Sequence, residues 1–193
     1  PQLAGDPNIP QGWLALATLC AEQGDLPEAS GHARTAFERA RQLGGLIEKA
    51  PPEFHAFVLQ AAQQAATYAA MERRADEAAR LTWEAHEYAK ANFAGNPLPA
   101  LETLQIHLNF IIGAGEFAKA EPLMRQVVAG KMMLLGEDHL DLSVPFNNLG
   151  YVLMKLGKDG EAENCFRKSW AACMRAPDTA SYMSNRSSRS RKV

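Results

Sequence analysis

The chain has 193 residues, 47% hydrophobic and 22% charged, with a net charge of −2 and a mean hydropathy of −0.26. That is the balance of a helix-rich chain able to bury a core, and no run of about 18 apolar residues offers a membrane span. From Ala176 onward Arg186, Arg189, Arg191 and Lys192 face Asp178 alone, a local +3 that leaves −5 elsewhere; a body of that sign lacks the basic face that neutralises phosphate, which argues against nucleic-acid binding.

In chain order, residues 1–9 contain Pro7 and Asn8 and are expected to lead in with little structure. They lack the charged start and apolar stretch of a secretory signal, so a cytoplasmic or nuclear setting is the default, and opening on Pro1 rather than Met fits a fragment or processed chain. A first helix is expected from Pro10, where proline is tolerated, to Gln23, with Trp13, Leu16, Leu19 and Cys20 forming one buried stripe. A second runs from Leu26 to Leu43. Pro51 and Pro52 open a third, through Val58, Ala62, Ala65 and Ala69 to about Met71, whose alanines permit close helix approach. A fourth spans Ala75 to Phe93 and stops at Gly95-Asn96-Pro97-Leu98-Pro99. Leu101 to Ile112, Phe117 to Met133, about Asp141 to Leu156 and Asp159 to Met174 complete eight helices. Pro145 would remove a donor inside a helix, but a start near Asp141 puts it at the edge of the first turn. Residues 176–193, Ser/Arg-rich and without apolar periodicity, are expected to be a disordered basic tail, either a kinase-substrate or targeting segment or a plain solvated end.

These helices repeat. Ala78, Ala120 and Ala162 are spaced 42 apart, as are the turn glycines Gly115 and Gly157, while Ala29 lies 49 before Ala78. The seven extra residues are expected in the linker near Gly44 to Pro52, where insertion is tolerated. Four hairpins follow, at about 10–43, 51–93, 97–133 and 139–175, in one repeat domain over 10–175.

Trp13-Leu16-Ala17-Gly24-Ala29-Ala33-Ala36 in the first copy, and Phe146-Leu149-Gly150-Gly157-Ala162-Phe166 in the last, resemble the tetratricopeptide repeat. The usual repeat has about 34 residues, so a period of 42 marks a longer-helix subtype. Leu135-Gly136-Glu137-Asp138-His139-Leu140-Asp141 before Asn147-Asn148-Leu149-Gly150 is similar to the linker and helix start of kinesin light chain repeats, with Leu140 where that subtype usually has proline. The resemblance implies an all-α, right-handed superhelical solenoid of antiparallel helix hairpins, with about four repeats and eight helices. It also implies a concave face lined by the first helix of each hairpin.

Counting from the aligned copies, the inward positions are Gln11, Leu14 and Thr18; Gln60, Gln63 and Thr67; Glu102, Gln105 and Asn109; and Asn147, Tyr151 and Lys155. Side-chain amides both donate and accept, so a row of them can bond an extended backbone without dictating its sequence. The candidate peptide-binding residues are therefore Gln60, Gln63, Thr67, Glu102, Gln105, Asn109, Asn147, Tyr151 and Lys155, with Asn109 and Asn147 the best matches to the groove asparagines of kinesin light chains. The chaperone-binding subtype clamps a terminal carboxylate with lysines; Leu14, Gln63 and Gln105 stand at those places, so that role is rejected.

No catalytic residue, cofactor or metal is expected. His32, His55, His86, His107 and His139 are scattered, Cys20, Cys165 and Cys173 form no metal spacing and read as small core or groove residues, and no HExxH, GxSxG or phosphate loop occurs. Asp138 to Asp141 reads as linker and helix start rather than a metal site. The expected function is a non-enzymatic scaffold or adaptor that binds a protein or peptide, without nucleic-acid or membrane partners. One alternative is the C-terminal helical part of a larger enzyme or signalling protein, such as one resembling SET and MYND-type lysine methyltransferases. Another is a self-associating homo-oligomer module, its terminal helices stacking on a second copy.

Overall fold

The computed structural model describes residues 9–47, 50–93 and 95–175. Expectations for the lead-in, for Glu48 and Lys49, and for the basic tail lie outside them. Among the described residues there are eight α-helices and no strand: α1 Pro10–Glu22, α2 Leu26–Leu46, α3 Pro52–Met71, α4 Ala75–Asn92, α5 Leu98–Gly113, α6 Phe117–Leu135, α7 Ser143–Lys155 and α8 Asp159–Arg175. They fall into two compact units divided between Phe110 and Ile111. Unit 1 holds α1 to α4 and most of α5; unit 2 holds α6 to α8.

The repeat is written into the turns. Gly24, Arg73, Gly115 and Gly157 follow the first helices of the four copies, and all have positive φ, at 85°, 62°, 77° and 74°. After each, the next backbone N–H reaches back five residues: Asp25 to the Cys20 carbonyl, Arg74 to Ala69, Glu116 to Ile111 and Lys158 to Leu153, at 2.8 to 3.1 Å. This closure of the helix end requires a left-handed residue, which is why glycine fills three of the four positions. Ala29, Ala78, Ala120 and Ala162 then sit five residues on, each at most 2% exposed. Any larger side chain there would push the paired helices apart.

Unit 1 has an alanine-rich core in which Ala17, Ala33, Ala36, Ala40, Ala61, Ala62, Ala65 and Ala69 surround Phe37, Val58 and Leu81. Ion pairs join its alternate helices on the outside: Arg34 to Glu77 at 3.3 Å and Arg41 to Glu84 at 2.7 Å both run from α2 to α4. In unit 2, Met124, Val127, Leu142, Phe146, Leu149, Val152 and Leu153 form the core. Gly150 lets the Phe166 ring press against α7; a Cβ there would lie 2.8 to 3.0 Å from three ring atoms. Arg125 to Glu161 and Lys158 to Glu121, both 2.7 Å, link α6 with α8 and its approach. Hydrogen bonds from Lys158 and then Arg125 hold the Glu121 carboxyl below its ordinary range.

Three expectations need correction. Leu16 and Leu19 do not belong to the buried stripe of α1: they are 38% and 52% exposed, while Gly12, Leu14 and Ala17 are buried. Among the described residues no neighbour covers the face of α1 that carries Leu16 and Leu19. Leu14 therefore belongs to the core, not to an inward binding row. The seven extra residues do not sit in the linker either. α2 has 21 residues where α4 has 18, and α3 has 20 where α5 has 16, so the insertion becomes helix at both ends. Finally, α7 begins at Ser143 rather than Asp141. Leu140–Leu142 forms a short 3-10 turn, steadied by the Asp141 N–H donating to His139 Nδ1 at 3.2 Å. That makes Pro145 the third helical residue, buried and with no intrahelical donor to lose.

Candidate protein-binding groove

Unit 1 contains a groove of about 310 Å³ walled by α3, α4 and α5. α3 contributes Ala56, Leu59, Gln60 and Gln63, one face at helical spacing. α4 and its end contribute Thr82, Ala85 and Phe93, and α5 contributes Pro99, Glu102, Thr103 and Ile106. The lining is mainly apolar, with two amides and one carboxylate on exposed positions. The volume is at the lower end for small-molecule sites and suits one or two side chains of an extended segment.

Several contacts fix the walls. The Phe93 ring packs edge-on against His55 at 5.7 Å, and His55 Nδ1 is 2.7 Å from the Tyr88 hydroxyl. Tyr88 is 8% exposed, and burial raises its phenol above the ordinary value. On the other side His86 donates from Nδ1 to the Ala100 carbonyl at 2.9 Å, and His107 donates to the Ala79 carbonyl at 3.0 Å. The two imidazoles therefore tie α4 and α5 together. Both are nearly buried, and burial lowers their pKa values below the ordinary histidine value. Trp83 lies against both rings, 5.3 Å from His86 and 5.2 Å from His107. Thr82 and Thr103 turn their hydroxyls back onto the carbonyls of their own helices, so they meet the groove with little unsatisfied polarity.

Of the residues expected from the sequence, Gln60, Gln63 and Glu102 line this groove. The polar row continues along α3, where Gln60, Gln63, Gln64, Thr67 and Tyr68 border a second depression. The Thr67 hydroxyl donates to the Gln63 carbonyl at 2.8 Å, and Gln64 Oε1 is buried without a hydrogen-bond partner. Gln105 and Asn109 lie on α5 outside the lining. Gln11 and Thr18 are exposed on α1. Asn147, Tyr151 and Lys155 belong to unit 2, exposed at successive turns of α7. There the Tyr151 ring meets Phe117 edge-on at 5.9 Å, and Lys155 Nζ lies 5.3 Å from its centroid.

Sequence reasoning missed the apolar lining, namely Ala56, Leu59, Phe93, Pro99 and Ile106. Leu59 and Ile106 carried a signal, since each lies one helical step from an inward amide, but Phe93 and Pro99 sit at helix ends whose direction no periodicity reveals. The cysteines, read from the sequence as small core or groove residues, are all partly buried.

A family model of the tetratricopeptide repeat matches residues 146–176. No curated protein sequence matches the chain. Among solved structures, the apo form of RapI is similar at 13% identity and a TM-score of 0.69, over 88% of this chain and 57% of that one. Aspartyl phosphate phosphatase F from Bacillus subtilis follows at 17% identity and 0.66, over 88% of this chain and 41% of that one. BtubC (BKLC) from P. vanneervenii is 18% identical with a TM-score of 0.51, over 84% and 78% of the two chains. This chain thus spans about half the length of the first two, and at these identities what is shared is the fold. The turns, the buried alanines and the matched hairpin lead to one conclusion: the chain has the tetratricopeptide-like helical repeat fold, with residues 146–176 the stretch that matches the repeat's family model.

Proposed function

We propose that the chain is a non-enzymatic interaction scaffold that binds an extended segment of a partner protein, and that the segment lies in the α3–α4–α5 groove of unit 1. The observation carrying this reading is the groove's makeup, an apolar floor for a side chain beneath exposed amides that can bond a backbone. Glu102 is the charged residue of the lining, so the favoured segment carries a large apolar residue with a cation next to it. Thr67, Gln105 and Asn109 extend the contact along α3 and α5, and Asn147, Tyr151 and Lys155 offer a separate contact on unit 2. A cytoplasmic setting completes the reading.

Peptides selected from a random display library on the purified chain test it. Selected sequences should share an apolar-plus-basic core, and Gln63→Trp or Glu102→Lys should weaken them about tenfold or more, with helical circular dichroism unchanged. Peptides that bind both variants as well as the parent would refute the groove assignment.

A further inference from the structure

We propose that Cys20, Glu28 and His32 form a binding site for a zinc-class divalent cation across the first hairpin. One ligand atom from each residue, Sγ, a carboxylate oxygen and an imidazole nitrogen, lies within 4.8 Å of the other two. The His32 Nε2 to Glu28 Oε1 distance is 3.4 Å. A tetrahedral ion with bonds of about 2.0–2.3 Å holds its ligand atoms about 3.3–3.8 Å apart. Glu28 and His32 are thus already at ligating separation, and Cys20 needs a side-chain adjustment of about 1 Å.

The hairpin positions each group separately. Glu28 and His32 are one helical turn apart on the same face of α2. The first turn of that helix is pinned because Asp25 Oδ1 accepts the Glu28 N–H at 3.1 Å. The His32 ring packs on Trp13 of α1 at 5.1 Å, which limits its rotation. Cys20 is in the last turn of α1, and its carbonyl accepts the Asp25 N–H at 2.9 Å, so the turn that reverses the chain brings the sulfur to α2. Orientation of ligands by such neighbours raises metal affinity.

The donor set selects the ion. A thiolate with an imidazole favours zinc and its close analogue cobalt(II) over magnesium or calcium, which take all-oxygen shells. Three protein ligands leave a fourth position for water or for an atom of a bound partner. Binding forms the Sγ–metal bond and releases the thiol proton to solvent, so affinity rises with pH.

The full chain, reduced by a phosphine, is titrated with cobalt(II) at slightly alkaline pH while the near-ultraviolet thiolate-to-cobalt band is followed. A saturable band is expected, displaced by zinc. It should vanish in Cys20→Ser, persist in a Cys165→Ser/Cys173→Ser double variant, and require about ten to a hundred times more cobalt in Glu28→Gln or His32→Gln. Zinc should raise the thermal midpoint of the parent and leave that of Cys20→Ser unchanged, with circular dichroism confirming that each variant folds. A parent without a saturable band, a band surviving Cys20→Ser or lost with Cys165 and Cys173, or unchanged affinity in the Glu28 and His32 variants would overturn the site.

Discussion

Replacing Arg73 by glycine should stabilise the protein by about 0.5–1 kcal/mol. At φ 62° Arg73 holds the left-handed conformation that Gly24, Gly115 and Gly157 hold in the other three copies. A residue with a Cβ pays about 1–2 kcal/mol to be there. Glycine removes that strain but returns about 0.4–1 kcal/mol of conformational freedom to the unfolded chain, which leaves the smaller net gain. The Arg73 side chain is exposed, so little contact energy is lost. Reciprocal changes isolate the backbone term. At Gly115 and Gly157 an added Cβ has nothing within 4 Å, so Gly115→Ala and Gly157→Ala should each cost about the same amount without steric interference. Arg73→Ala keeps the strain and should change stability by less than about 0.5 kcal/mol. Urea unfolding followed by far-ultraviolet circular dichroism, with the denaturant slope held common, reads all four midpoints. A lower midpoint for Arg73→Gly, or a higher one for Gly157→Ala, would refute the equivalence of the four turns.

Two further outcomes follow from the packing. Gly150→Val should cost about 1–3 kcal/mol, because its Cβ starts 2.8 to 3.0 Å from the Phe166 ring. Combining it with Phe166→Ala should recover part of the loss, and strict additivity in the double-mutant cycle would show that the ring is not what the new side chain meets. The histidine pair that ties α4 to α5 makes stability depend on pH. Burial lowers the folded pKa of His86 and His107 below 6.5, so as pH falls through 6.5 the unfolded chain takes up protons that the fold excludes. Their contribution is whole above that pH and is lost progressively below it. Lys90 lowers and Glu87 raises the His86 value, and His86 lowers that of His107. The double variant His86→Gln/His107→Gln should flatten the thermal midpoint between pH 7.5 and 5, and an unchanged slope would place the sensitive groups elsewhere.

The fold was legible because its signals are local. Turn residues and small buried alanines recur at fixed spacing, and a spacing can be read without knowing which helices touch. The chain also hid one turn: Arg73 performs a glycine's role, and only its backbone conformation shows it. Leu16 and Leu19 misled because a periodic apolar stripe says that a face could be covered, not that a neighbour covers it. In the groove the polar rim on α3 was readable from helical phase, since Gln60 and Gln63 share a face. Its apolar floor draws on three helices, and their angles are properties of the packed unit rather than of any segment. Cys20, Glu28 and His32 escaped notice for a similar reason, since a tight turn separates the cysteine from its two companions and no spacing rule spans it.

The seven residues that break the repeat have a consequence for recognition. Four of them lengthen the start of α3, and that added turn carries Phe54 and His55, whose counterparts 42 residues on are Asn96 and Pro97 in a linker. His55 packs against Phe93, and Phe93 lines the groove. The groove proposed as the binding site is therefore shaped by the irregular part of the array, while the regular part supplies its amides. A lineage of such chains could change what is bound by altering the length of one hairpin, leaving every repeat-defining position untouched. Ligand choice and foldability would then be inherited on different residues, free to vary independently.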